Sequence, residues 1–158
     1  MASSRAASAL LASLLALAAV GCGASRPQTD GGRSCGAGHR VEVVVELGDH
    51  HAVDSCVSFH AARISGEAAL RHSGIEFATQ QFSFGLAVCQ IDHDPRSYSQ
   101  CLASGQPYWA LFIWSGHGPW RSASTGISGV SLRPGQALGW RYVPSSGSAP
   151  PPRRPPGA

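Results

Sequence analysis

One stretch, Gln106–Tyr142 (QPYWALFIWSGHGPWRSASTGISGVSLRPGQALGWRY), limits what this chain can become more than any other. It holds all four tryptophans, two of the three tyrosines and three arginines, and it has no acidic residue. Aromatics punctuated by glycines are the makings of short strands joined by tight turns. Aromatics mixed with arginines also suit a face that receives something flat or anionic. Large aromatics in a small domain are more often core, because each buries a large apolar area. The tryptophans therefore have to be divided between these two uses.

Strand alternation makes that division. In the closing strand Leu138–Val143, Trp140 and Tyr142 share one face while Gly139 and Arg141 take the other. Tyr108 and Trp109 are adjacent, so one enters the core and one is presented outward. Trp120 follows Gly118-Pro119, where a loop tip is expected, and is the tryptophan least suited to burial. With Arg121 and His117 beside it, Trp120 is expected to form the exposed edge of a site. The candidate ligand-binding residues are Tyr108, Trp114, His117, Trp120 and Arg121, with Trp140 as core.

The remaining segments give the frame. Arg40–Leu47 (RVEVVVEL) is the clearest strand, with Val41, Val43 and Val45 on a fully apolar face and Glu42, Val44 and Glu46 on a mixed one. Ala52–Ala61 is ambiguous. Ser65–Gly74 reads as one short helix, with Ser65 as N-cap, Glu67 in the first turn and Gly74 as the stop. Ile75–Gln80 and Phe82–Ile91 are strand candidates, the second carrying Phe82, Phe84, Leu86 and Val88 on one face. Tyr108–Trp114 is another strand, Trp120–Ser124 its hairpin partner, and Val130–Leu132 and Leu138–Val143 close the series around an Arg133–Gln136 turn. A strand, a helix and then several strands imply an α+β domain, one short helix on a small, mostly antiparallel sheet.

Four parts follow along the chain. Residues 1–21 have the charged start, apolar run and small-residue end of a signal peptide. Ala19-Val20-Gly21-Cys22 has the form of a bacterial lipobox, so residues 22–34 read as a lipidated Cys22 and a flexible tether. Residues 35–145 are the domain, and 146–158 (SGSAPPPRRPPGA) read as a disordered proline-rich tail. Setting Cys22 aside leaves four cysteines in an exported domain, hence two disulfides. Cys89 and Cys101 bracket a polar loop and are paired, leaving Cys35 with Cys56. The expected location is outside the cell, at the outer face of the membrane or secreted.

Charge excludes one class of partner. Between Cys35 and Ser145 there are seven arginines against eight carboxylates, which is not the basic stripe of a nucleic-acid binder. Asp94 is the last acid, so the second half of the domain is expected to present a mildly positive face. For an enzyme, no Gly-x-Ser-x-Gly stretch exists, and paired cysteines leave no thiol nucleophile. Asp49-His50-His51 and Asp92-His93-Asp94 are dense in metal-ligand types, but they read as solvated turns. A non-catalytic binding role is expected, with no resident metal.

Taken together, VEVVVEL, EAAL, GLAVCQID, PYWALFIW, GPW and LRPGQALGWRY, spanning Val41–Tyr142, resemble the C-terminal domain of transcobalamin and intrinsic factor. The matching positions are Tyr108, Trp109, Trp120, Gly126, Gly135, Trp140 and Tyr142. The resemblance implies a β-grasp-like fold and a module that captures cobalamin or a similar large flat cofactor. Its partners would be a transporter or a helical barrel, the latter having no counterpart in this chain. The alternative is a cell-envelope interaction module holding a protein or glycan with the same aromatic face.

Overall fold

The computed structural model describes residues 35–145 and 148–155. The expected signal peptide, Cys22 and the tether lie outside the described residues. The chain opens with a hairpin, β1 (His39–Glu46) and β2 (Ala52–Phe59), so the ambiguous Ala52–Ala61 stretch is a full strand. β3 (Ile64–Ser65) leads into helix α1 (Gly66–His72). A second hairpin follows, β4 (Phe77–Phe82) with β5 (Gly85–Ile91). β6 (Tyr108–Trp114) and the short β7 (Arg121–Ser122) precede a 3-10 turn (Ile127–Gly129), β8 (Ser131–Leu132) and β9 (Ala137–Val143).

β1, β2, β6, β7 and β9 form one sheet in the order β2-β1-β9-β6-β7. All its neighbours are antiparallel except the central pair, where β1 runs parallel to β9. A first hairpin, a helix crossing one face, and a last strand inserted parallel beside the first make an α+β domain of β-grasp type.

The helix forms where the sequence places it. Ser65 Oγ accepts the Ala68 N–H at 3.1 Å, supplying the N-cap, and Glu67 meets Arg71 one turn on at 2.5 Å. Ala69 and Leu70 are fully buried against the sheet. The core is the layer between the helix, the β4–β5 hairpin and the 3-10 turn on one side and the inner sheet face on the other. Its centre is Val43, Val45, Leu138 and Trp140, two adjacent pairs on the inner side of the parallel ladder, with Trp109, Ile91 and Ile127 packed around them.

Three expectations are corrected. The β4–β5 turn falls at Ser83-Phe84, so Phe82 ends β4 and does not share a strand face with Leu86. The hairpin partner of β6 is two residues long, Arg121–Ser122 in place of Trp120–Ser124. β8 pairs with β3 and not with β9, fastening the helix start to the 3-10 turn. Cys35 is joined to Cys56 and Cys89 to Cys101, with Cα separations of 5.3 and 5.1 Å, the pairing the loop spacing predicts. Such bridges belong to chains that fold in an oxidising compartment. Among the described residues no helix is long and apolar enough to cross a membrane.

Trp140 is 1% exposed, so Trp140→Ala should cost about 3–5 kcal/mol of stability as a core truncation. Urea denaturation of the two proteins measures it, and a loss under 1 kcal/mol would contradict this placement of the core.

Candidate functional site

Two surfaces of the sheet carry the functional candidates. The first is a cleft at the edge beyond β6. β7 covers only Phe112 and Ile113, and Ala123 N–H adds one bond to Leu111 O at 2.8 Å. Alternate residues of an antiparallel strand direct both backbone groups to the same side. Those of Trp109 therefore point, like Leu111 O, toward the side that β7 no longer occupies. Facing this edge is the tip of the β4–β5 hairpin, held by Gly126 N–H to Phe84 O at 2.8 Å and Leu86 N–H to Ser128 Oγ at 3.0 Å. Gly126 is needed here, because a Cβ would strike Leu86 O. Between edge and tip lies a half-open cavity of about 360 Å³. Phe84, Leu86, Leu111 and Trp140 give it apolar walls, and Ser124 and Thr125 bring hydroxyls. Its lining includes no carboxylate, imidazole or guanidinium.

The second surface is the outer sheet face, opposite the core. Register places Asp54, Val44, Gly139, Phe112 and Ser122 in one row across all five strands. The middle of this row is not solvated, although Ser122 at its end is exposed. Val44 is 0% and Phe112 3% exposed, although neither belongs to the core on the helix side. Their cover includes Trp120 and the proline-rich segment 148–155. A Cβ on Gly139 would lie 2.6 Å from Pro152 Cγ and 2.9 Å from the Trp120 ring, so the bare glycine lets both settle on the sheet. Trp120 Nε1–H donates to Arg153 O at 3.2 Å. Arg153 N–H donates to Glu46 Oε2 at 3.2 Å, and its guanidinium pairs with Asp54. Glu46 also pairs with Arg141 beside it. The disordered tail expected from composition is therefore corrected for 148–155, where Pro152 and Pro155 are buried. Prolines cannot build a core, but they can cover one that already exists.

The structure divides the five ligand-binding candidates. Tyr108, Trp114 and Trp120 lie on the outer side of the sheet, the first two by register opposite Val143 and Ala137. Trp114 Nε1–H donates to Gly118 O at 3.0 Å and closes the loop after β6. His117 is exposed at that loop's tip, between glycines at φ 95° and 72°. Arg121 stands opposite Ile113, on the core-side register, and so points away from the Trp120 ring. The grouping of Trp120 with Arg121 is thus corrected, because alternation at the start of β7 separates them. Trp120 itself is half-buried under the segment and is not the free edge of a site. Sequence reading missed Phe84, Thr125, Gly139, Glu46 and Asp54. Only the unbroken Val43-Val44-Val45 run gave a signal, since it puts a valine on each face.

The metal-ligand types are dispersed. His50, Asp92 and His93 occupy turns with positive φ, and His93 contacts Glu76 at 3.1 Å. Asp94 accepts Gly48 N–H at 2.9 Å, and its carbonyl accepts Trp109 Nε1–H at 3.0 Å. Glu42 lies with Cys35 and Cys56 in a compact group, but both sulfurs are committed to their disulfide.

On the outer face, burial raises the pKa of Glu42, with the nearby Asp54 charge adding to it and Arg40 opposing. Burial also raises that of Asp54, against the Arg153 charge and hydrogen bond. A carboxyl raised in the folded state contributes stability that is complete below its ordinary pKa and is lost as pH rises through the folded value. Glu42→Gln should therefore raise the melting temperature at pH 7. The gain should vanish as pH falls below the ordinary 4.5 of the glutamate. Calorimetry across this range decides it, and a variant less stable at pH 7 would reverse the sign.

Compared with protein-family models the chain matches none, and no curated protein matches it. Among solved structures it is similar to one from Ruminococcus gnavus, described as a candidate metal binding protein. The two are 16% identical, the match covers 67% of this chain and 97% of the other, and the TM-score is 0.49.

Proposed function

We propose that this domain is a non-catalytic binding module whose ligand enters the cleft beside β6. The observation that carries the reading is the cleft itself. Its walls are apolar, its polar groups are hydroxyls and a strand edge, and its lining offers no acid–base pair. Such concave, largely apolar sites with few oriented polar groups are typical of small-molecule binding. A volume of about 360 Å³ takes a small ligand or one projecting part of a large one. Cobalamin or a similar flat cofactor would then be gripped by an edge, its remainder covered by a partner barrel or passed to a transporter, as the family resemblance implies. In this reading the domain is exported and held at the outer membrane face through lipidated Cys22.

A cell-envelope interaction module is the second reading, and one observation favours it. The Trp109 backbone faces an edge that β7 leaves open, and an extended partner segment can add to such an edge as a further strand.

The test is a titration followed by the fluorescence of Trp109 and Trp140, which border the cleft. Cyanocobalamin and the apolar dye anilinonaphthalene sulfonate serve as probes. Phe84 is 46% exposed, so Phe84→Ala should leave the circular dichroism unchanged while weakening probe binding about fivefold through lost apolar contact. No saturable change with cyanocobalamin would sink the cofactor form of the proposal. Failure of the dye as well would sink the cleft as a ligand site. Separately, Cys22→Ala should move the protein out of the membrane fraction or leave its leader uncleaved. Unchanged fractionation would remove the lipid anchor.

A further inference from the structure

The outer face of the sheet is built like a receptor for an extended proline-rich peptide. Three features of such recognition meet there. An indole, Trp120, packs beside a proline, Pro152, over a floor with no side chain at Gly139. The indole N–H reads a backbone carbonyl of the peptide, that of Arg153. Two carboxylates, Glu46 and Asp54, receive the N–H and guanidinium of that same residue. The ligand conformation is dictated by its own sequence. Ala149, Pro150, Pro151 and Arg154 each precede a proline, which confines them to extended or polyproline geometry. Segments already confined in this way lose little entropy on docking to aromatic-lined grooves.

The resident segment does not satisfy the groove. Asp54 engages Arg153 through Oδ2, while Oδ1 is buried without a hydrogen-bond partner. A guanidinium presented squarely to a carboxylate uses both oxygens. Arg154, one residue on, is exposed and makes no ion pair among the described residues. The Arg153 side chain is itself 52% exposed. The groove's contacts are specific, and its present occupant leaves part of them unused.

We propose that the outer face is a recognition groove for a proline-rich, arginine-bearing segment of a partner protein, and that residues 149–155 are a resident competitor that must leave before the partner enters. The groove adjoins the cleft beside β6, whose lining includes Ser122 and the segment's own Ala149, but the contacts at Trp120, Glu46 and Asp54 lie outside that lining, and the proposal stands whether or not the cleft takes a ligand. Being tethered, the resident acts at an effective concentration on the order of millimolar. With an intrinsic affinity of about 100 μM for the groove, the resident would suppress any partner peptide about tenfold.

The test uses the full chain. Arg153→Glu sets a carboxylate against Glu46 and Asp54 and should release the segment. A fluorescein-labelled peptide, APPPRRPP, is titrated by anisotropy into wild type and this variant. It should bind Arg153→Glu at least tenfold more tightly than wild type. Adding Trp120→Ala should abolish the gain. Adding Asp54→Asn should reduce it, and serves as the second variant if Trp120→Ala disturbs the fold by circular dichroism. A peptide carrying Glu at its first arginine should not bind. Equal affinity for wild type and Arg153→Glu would overturn the competitor, and binding indifferent to Trp120 and Asp54 would overturn the groove. Sedimentation should show monomers for both proteins. A wild-type dimer that Arg153→Glu dissociates would make the partner a second copy of this chain and overturn the proposal as stated.

Discussion

The parallel pairing of β1 with β9 is the constraint on which both candidate surfaces depend. One register sets two rows at once. On the inner side Val43 and Val45 stand opposite Leu138 and Trp140, and on the outer side Val44 stands opposite Gly139. Side chains alternate with a period of two, so a slip of one residue in β9 would exchange the faces. Trp140 would leave the core, and Gly139 would cease to be the floor under Trp120 and Pro152. The hydrophobic demand of the core therefore fixes the geometry of the groove behind it.

Charge separated along the sequence is partly brought together across the sheet. The carboxylates of β1 and β2 precede Asp94, and the arginines that meet them, Arg141 and Arg153, follow it. Glu46 pairs with Arg141 and Asp54 with Arg153. The positive face expected for the second half is thus reduced on the outer side of the sheet. The cost of holding Glu42 and Asp54 in a partly dry strip shows in their raised pKa values. Such a strip is poor material for stability and good material for recognising a cation.

The core was readable because local rules and the fold agree there. Alternation in Val41–Val45, the Ser65 cap and the Trp140/Tyr142 face each follow from the identity of neighbours in sequence. The cleft and the groove were not readable in this way. Alternation says that Val44 and Glu46 share a face but not what covers it. The composition of residues 148–155 correctly denies them a core of their own, yet it cannot tell solvated proline from proline laid against Trp120. The cleft needs the hairpin tip at Phe84 brought beside β6, which depends on a turn at Ser83-Phe84 where the apolar pattern puts the break at Gln81. In each case the missing information is a contact between segments far apart in the chain.

The same central pairing has a consequence for how the molecule is made. Glu46 and Arg141, which meet across it, are 95 residues apart. Contacts of that range close late, since the chain must lose the entropy of a long loop before they reward it. The β1–β2 and β4–β5 hairpins can form while the chain is still emerging, but the middle of the sheet has to wait for β9. Until then the valines of β1 have a bare edge on that side. A chain threaded through a membrane from its N-terminus would stay open, and hence threadable, until nearly the whole domain had crossed.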